Sequence, residues 1–267
     1  MRSATFVEPL EKRRFLDTSL SNGVLVVLGT SGDDEVTFRQ SGDDLVVQLN
    51  ADDDTYARNQ VAVILIDVGF GADSVILGNL PIRAQIKGGR GNDTISAGNA
   101  NDTLYGEGGD DYLFGGAGND VIDPGGEKDL ILGGSGPRDL VDYSWRTNNL
   151  DIDISGDDED DGESGENDSV LTDIEIVLGG EGDDNLADAS GKRTTLVGGS
   201  GDDTLTGGSN ANVFDGGAGN DLAFGYGNDD IFWFEDGQGD TIDGGSGDDI
   251  MDVDNDIDVA TGIERNI

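Results

Sequence analysis

Beyond Gly88 the apolar residues thin out and keep time. Ile95, Leu104, Leu113, Ile122 and Ile131 stand nine residues apart, separated by glycine, asparagine and carboxylates. Glycine falls in every window of this region, which opposes helix. One apolar anchor per nine residues with short extended flanks predicts brief strands joined by glycine turns, a small unit stacked many times. The chain before Lys87 reads differently. Residues 24–28, 45–49, 61–68 and 75–77 are dense in branched apolar side chains and predict longer strands. The only helix expected is a turn or two within residues 8–16.

The unit spells Gly-Gly-x-Gly-x-Asp-x-apolar-x. Well-formed copies occupy residues 88–96, 115–123, 179–187, 198–206, 216–224 and 244–252. The aspartate at position six is Asp93, Asp102, Asp111, Asp120 and Asp129 in a first array, which closes with Asp139 after one inserted residue. In a second array it is Asp184, Asp203, Asp221, Asp230, Asp240 and Asp249, with Asn212 in one weak member. Looser copies at residues 29–37 and 68–76 carry Asp34 and Asp73 and read as the cap of the stack. The organisation expected is a tail (1–22), a β-rich cap (23–87), a first array (88–144), an insertion with an acidic loop (145–178), and a second array with a final strand (179–267).

Glycines at positions one, two and four let the chain turn sharply and bring bare carbonyl oxygens close to an ion. The carboxylate closes the turn. Calcium takes six to eight oxygens from carboxylates and carbonyls, more than one turn offers and as many as two stacked turns offer. Gly89, Gly91, Gly116, Gly118, Gly180, Gly182, Gly199, Gly201, Gly217, Gly219, Gly245 and Gly247 are the candidate carbonyl donors beside the position-six aspartates. One inward side chain per unit makes a thin interior, so folding is expected to depend on the ion.

Composition narrows the rest. There are 57 acidic and 15 basic residues, a net charge of -42, which disfavours nucleic acid and anionic membrane surfaces as partners and calls for divalent cations. No cysteine means no disulfide or thiolate site, and no histidine means no Ser-His-Asp triad, HExxH zinc site or histidine base. No apolar run approaches the ~20 residues of a membrane-spanning helix, and the first 22 residues lack the apolar stretch of a secretory signal peptide.

These nonapeptides resemble the RTX, or hemolysin-type calcium-binding, repeats. The resemblance implies an all-β chain, a right-handed parallel β-roll with two units per coil and several Ca²⁺ ions between stacked turns. It also implies that position-six aspartates a coil apart share an ion: Asp93 with Asp111, Asp102 with Asp120, Asp111 with Asp129, Asp203 with Asp221, and, across insertions, Asp184 with Asp203, Asp221 with Asp240, and Asp230 with Asp249. Asn212 opposite Asp230 is expected to give a weaker or empty site. The family implies export, here by type I or another non-classical route, to the exterior or cell surface. Residues 10–16, LEKRRFL, resemble the LEPR-XLL motif of surface-associated proteins of planctomycete-type bacteria, with Phe15 where that motif has leucine; a plain basic tail is the other reading.

Expected partners are calcium ions and, beyond them, extracellular polysaccharide or cell-surface structures; the oligomeric state stays open. The rival function is a calcium-dependent polysaccharide lyase or glycosidase working through carboxylates, although every well-placed aspartate already has a role as a ligand. Asp157, Glu159, Asp161, Gly162 and Asp168 have EF-hand-like spacing; the reading preferred here is a solvated acidic loop. Tyr226, Phe232, Trp233 and Phe234 are read as core filling.

Overall fold

The computed structural model describes residues 17–155, 160–234, 236–253 and 258–266. The helix expected at residues 8–16 and the LEPR-XLL-like segment lie outside them. The described chain is nearly all strand and forms a parallel β-solenoid of about 10 turns. A single 3₁₀ turn, Arg58–Gln60, is its one helical element among the described residues.

One face of the solenoid is an unbroken thirteen-stranded sheet, from Asp17–Ser21 at one end to Arg265–Asn266 at the other. Its first pair is antiparallel and the rest are parallel. The opposite face is split into an eight-stranded and a seven-stranded sheet, which contain the alternate strands of the first and second arrays. Each nine-residue unit thus contributes one short strand to one face, and two units close a coil. The register follows from the sequence period: Leu104 sits beside Ile86 and Ile122, and Leu113 beside Ile95 and Ile131. The apolar residue at position eight points inward in every coil, and Ile95, Leu104, Leu113, Ile122 and Ile131 are all buried.

The cap departs from the expected pattern in one respect. Residues 52–57, DDDTYA, form a strand that pairs antiparallel with Asp44–Leu49. Three aspartates give no strand signal, and tertiary pairing wins over local propensity. As the outermost strand of its sheet, this charged segment blunts an edge that would otherwise invite pairing.

The aromatic cluster divides. Phe232 and Phe234 are buried, and Phe232 stacks on Phe214 with ring centres 4.8 Å apart. Tyr226 and Trp233 are exposed, so core filling holds for two of the four.

Candidate metal centres between the turns

The position-six aspartates form rungs that climb the solenoid. Asp93 N–H donates to Asp111 Oδ1 at 2.7 Å, and Asp111 N–H donates to Asp129 Oδ1 at 2.8 Å. On the other edge Asp102 N–H reaches Asp120 Oδ1 at 2.7 Å, and Asp120 N–H reaches Asp139 Oδ1 at 2.9 Å. In the second array Asp184, Asp203, Asp221 and Asp240 link in the same way at 2.8 Å, as do Asp230 and Asp249. All seven pairs that the resemblance implies therefore lie on adjacent rungs. Asp34 and Asp73 begin the first row, with Asp34 N–H donating to Asp73 Oδ1 and Asp73 N–H to Asp93 Oδ1.

These bonds use one oxygen of each carboxylate. The other, Oδ2, is buried without a hydrogen-bond partner in Asp73, Asp93, Asp111, Asp120, Asp129, Asp139, Asp203, Asp221, Asp230, Asp240 and Asp249. A buried oxygen left in this condition is costly. In eight of the eleven it lies beside the position-one glycine of its own turn: Gly88, Gly106, Gly115, Gly133, Gly198, Gly216, Gly225 and Gly244. A methyl group placed on Gly88 would lie 2.5 Å from Asp93 Oδ2 and 3.0 Å from the Gly106 carbonyl oxygen. On Gly115 the corresponding distances to Asp120 Oδ2 and the Gly133 carbonyl are both 2.6 Å. The space that glycine leaves open is thus bordered by an orphan carboxylate oxygen and a main-chain carbonyl.

The other glycines add carbonyls. Gly116 and Gly118 have φ of 101° and 135°, which side chains other than glycine rarely adopt, and they back onto the Gly98 and Ala100 carbonyls of the preceding coil. Gly89, Gly91, Gly199, Gly201, Gly217, Gly219 and Gly245 share the positive φ. Gly180, Gly182 and Gly247 do not. They are small because the Arg146, Asn148 and Asn228 main chains press against them. The sharp-turn argument fails for these three and for Gly115, and close approach replaces it.

Among the described residues no group of three or more Asp, Glu, His or Cys side chains converges as a metal cluster. Any ion here must draw much of its shell from backbone carbonyls, which suits a hard oxygen-seeking cation. Burial also pushes the carboxyls upward in the absence of metal: Asp93, Asp221 and Asp240 to about 6, Asp73, Asp120, Asp203 and Asp230 to about 7, Asp111 to about 8 and Asp129 to about 9. Loss of hydration is the main cause throughout, and hydrogen bonds from the neighbouring coil oppose it.

A model of the RTX calcium-binding nonapeptide repeat matches the chain in four copies, at residues 87–122, 108–137, 188–223 and 209–239. The units within 87–137 and 188–239 are RTX calcium-binding repeats. No curated protein matches the chain significantly.

Not every repeat leaves an oxygen orphaned. Asp102 and Asp184 Oδ2 accept the N–H groups of Gly98 and Gly180. Asp34 Oδ2 accepts from Thr30, and its Oδ1 from Asn50. Asn212 keeps its place on the ladder: its N–H donates to Asp230 Oδ1, its Oδ1 accepts Gly208 N–H at 3.3 Å, and its Nδ2 donates to Asp188 Oδ2 at 2.7 Å and Thr194 Oγ1 at 2.6 Å.

Spacing missed several rungs. Asp168 Oδ1 accepts from Asp129 N–H, 39 residues away, and Oδ2 accepts the Tyr143 hydroxyl at 2.9 Å. Asp161 accepts from Asp153 N–H and Val170 N–H. These two belong to the stack and are engaged inside it, so the solvated-loop reading does not apply to them; Asp157 and Glu159 lie outside the described residues. Glu175 and Glu264 end the two segments on their edge, accepting from Asp139 and Asp249 N–H. The signal was the echo of Thr172-Asp173-Ile174-Glu175 in Thr261-Gly262-Ile263-Glu264.

Position five was also missed. Asn101 Oδ1 accepts Asn119 N–H at 3.0 Å, Asp183 Oδ1 accepts Asp202 N–H at 2.9 Å, and Asp202 Oδ1 accepts Asn220 N–H at 2.8 Å. Here the bond comes from the following coil, whereas at position six it comes from the preceding one. Neighbouring coils therefore clasp each other reciprocally. All six well-formed copies carry Asn or Asp at position five, which was the available clue.

Proposed function

We propose that the RTX arrays bind several Ca²⁺ ions between successive turns, and that the ions fold this part of the chain. The observation that carries this reading is the set of eleven buried Asp Oδ2 atoms without partners, eight of them beside the position-one glycine of their own turn. Asp93, Asp111, Asp120, Asp129, Asp139, Asp203, Asp221, Asp230, Asp240 and Asp249, with Asp73 in the cap, would hold the ions together with turn carbonyls. Bound calcium would supply the charge compensation that buried carboxylates in a chain of net charge -42 otherwise lack. Asn212 closes its own gap with amide donors, which supports an ion-free position there.

The role that fits is a structural or binding module of the cell surface or exterior, where calcium is plentiful. RTX repeat proteins are typically exported, and a chain that folds only after reaching calcium is suited to passage through a channel. An extracellular polysaccharide or another cell-surface structure is the partner class proposed. The aspartates that a carboxylate-based hydrolase or lyase would need are tied into the ladders, which favours the non-enzymatic reading.

Titration calorimetry on the intact chain and on Asp111→Asn tests the proposal. The expected result is uptake of several ions, with fewer bound by the variant. The same variant should be more stable than the parent in chelator, because an amide replaces a buried carboxylate. No heat of calcium binding, or an unchanged ion count, would overturn it.

A further inference from the structure

Residues 143–178 interrupt the period, and on the split face they also exchange places. Leu150–Asp153, with Gly162–Glu163 antiparallel on its outer side, lies at the start of the second array's sheet, while Ser169–Val170, later in the chain than Leu150–Asp153, closes the sheet of the first. The two sheets meet at a single antiparallel bridge, in which Asp161 N–H donates to Asp168 O at 3.2 Å and Asp168 N–H to Asp161 O at 2.9 Å, and not through a continuous ladder. Asp161 spans the gap: Oδ1 accepts Asp153 N–H at 2.7 Å and Oδ2 accepts Val170 N–H at 2.8 Å.

At this seam a protein cation sits among the turns. Arg146 is 5% exposed. Its guanidinium donates to the Gly125 carbonyl, pairs with Glu166 Oε1 at 2.6 Å and Glu163 Oε1 at 3.2 Å, and lies 4.5 Å from the Trp145 ring. Gly125 is a position-two glycine, and in the regular coils the carbonyl at this position abuts the next turn. The nearby rung Asp168 has its second oxygen taken by Tyr143. On the other edge Asn212 binds Asp188 and Thr194, and Lys192 Nζ pairs with Glu175 Oε1 at 3.2 Å. The interior is also thicker here. Tyr143, Leu150, Ile152, Ile154, Val170, Ile174 and Val177 are all buried within 35 residues.

We propose that the seam is a metal-independent belt, in which Arg146 and Tyr143 provide the charge and donors that calcium provides in the arrays. The proposal rests on the calcium reading of those arrays. It makes the belt an internal anchor that keeps its structure when the ions leave and on which both arrays restack when the ions return. The chemistry is that of substitution: a buried guanidinium with three acceptors satisfies a turn carbonyl and two carboxylates at once.

Hydrogen exchange of the full chain, with calcium and with excess chelator, tests the belt. In chelator, peptides covering 143–154 and 161–171 are expected to exchange about tenfold more slowly, or slower still, than array peptides covering 106–122 and 213–234. Equal loss of protection in belt and arrays overturns the belt and leaves the calcium reading standing. Retained protection in both sinks the calcium reading and the belt with it. In Arg146→Gln the belt is expected to fall to the level of the arrays in chelator while the arrays still take up calcium. Unchanged belt protection in that variant overturns the role of Arg146.

Discussion

The cap and the second array are solenoid walls built from different materials. Residues 24–87 bury eighteen apolar side chains, including Leu25, Leu45, Ile64 and Ile86. Over a similar length, the described residues of 179–249 bury eight, from Leu186 to Ile242. Buried apolar area is the main stabilising term for a fold, so the cap has the means to stand unaided and the array does not. What the array has instead is oxygen: buried carboxylates and turn carbonyls in register. The lesson is that one coil geometry can be held by either means, and the sequence shows which by the spacing of its apolar residues.

Chelation should divide the two regions most sharply. With calcium removed, the array is expected to lose its strand signal by circular dichroism and its exchange protection, while peptides from residues 24–49 keep theirs. Loss of both, or of neither, would erase the contrast.

Acid should come next. Among the metal-free array aspartates, burial raises Asp93, Asp203 and Asp129 from 3.8 to about 6, about 7 and about 9 when folded, so the folded state binds more protons than the unfolded state from pH ~4 up to those values. The stability these groups contribute to the metal-free array is present in full below pH ~4 and is lost as pH rises through those values. Calcium binding runs the opposite way, because its ligands must be deprotonated. Thermal melts at pH 5 and pH 8 should show the metal-free array melting higher at pH 5 and the calcium-loaded array melting higher at pH 8.

Glycine replacement sharpens the comparison at single sites. Gly116→Ala forces a side chain onto the Gly98 carbonyl at φ 101°, and about 1–3 kcal/mol of destabilisation is expected. Gly42→Ala in the cap, at φ 63° with open space around it, should cost about 1 kcal/mol. The smallest effect expected is that of Asn101→Ala, which removes one clasp from the following coil and should cost about 0.5–1.5 kcal/mol in a calcium-loaded melt.

The array was legible because its period is strict. Leu104 over Ile122 and Asp102 over Asp120 follow from counting in eighteens. Legibility failed where the chain kept the coil and dropped the count. Glu175 and Glu264 take the rung with a longer side chain, and Asp168 reaches its place after an excursion of 39 residues. Position five was read as unconstrained because asparagine and aspartate there look like ordinary turn residues, although Asn92, Asn101, Asp183, Asp202 and Asn220 each accept a bond from the next coil. The acidic strand Asp52–Ala57 owes its existence to its partner, Asp44–Leu49, and leaves no mark of its own.

The split face has a mechanical consequence. Strands lie across the long axis and their hydrogen bonds run along it, so a pull from the ends loads those bonds one coil at a time. At the junction between the two rear sheets the front sheet continues, but the rear has one isolated bridge and a carboxylate link where other coils have a ladder. Under tension the rod should gape there first, bending about its continuous side like a cover about its spine.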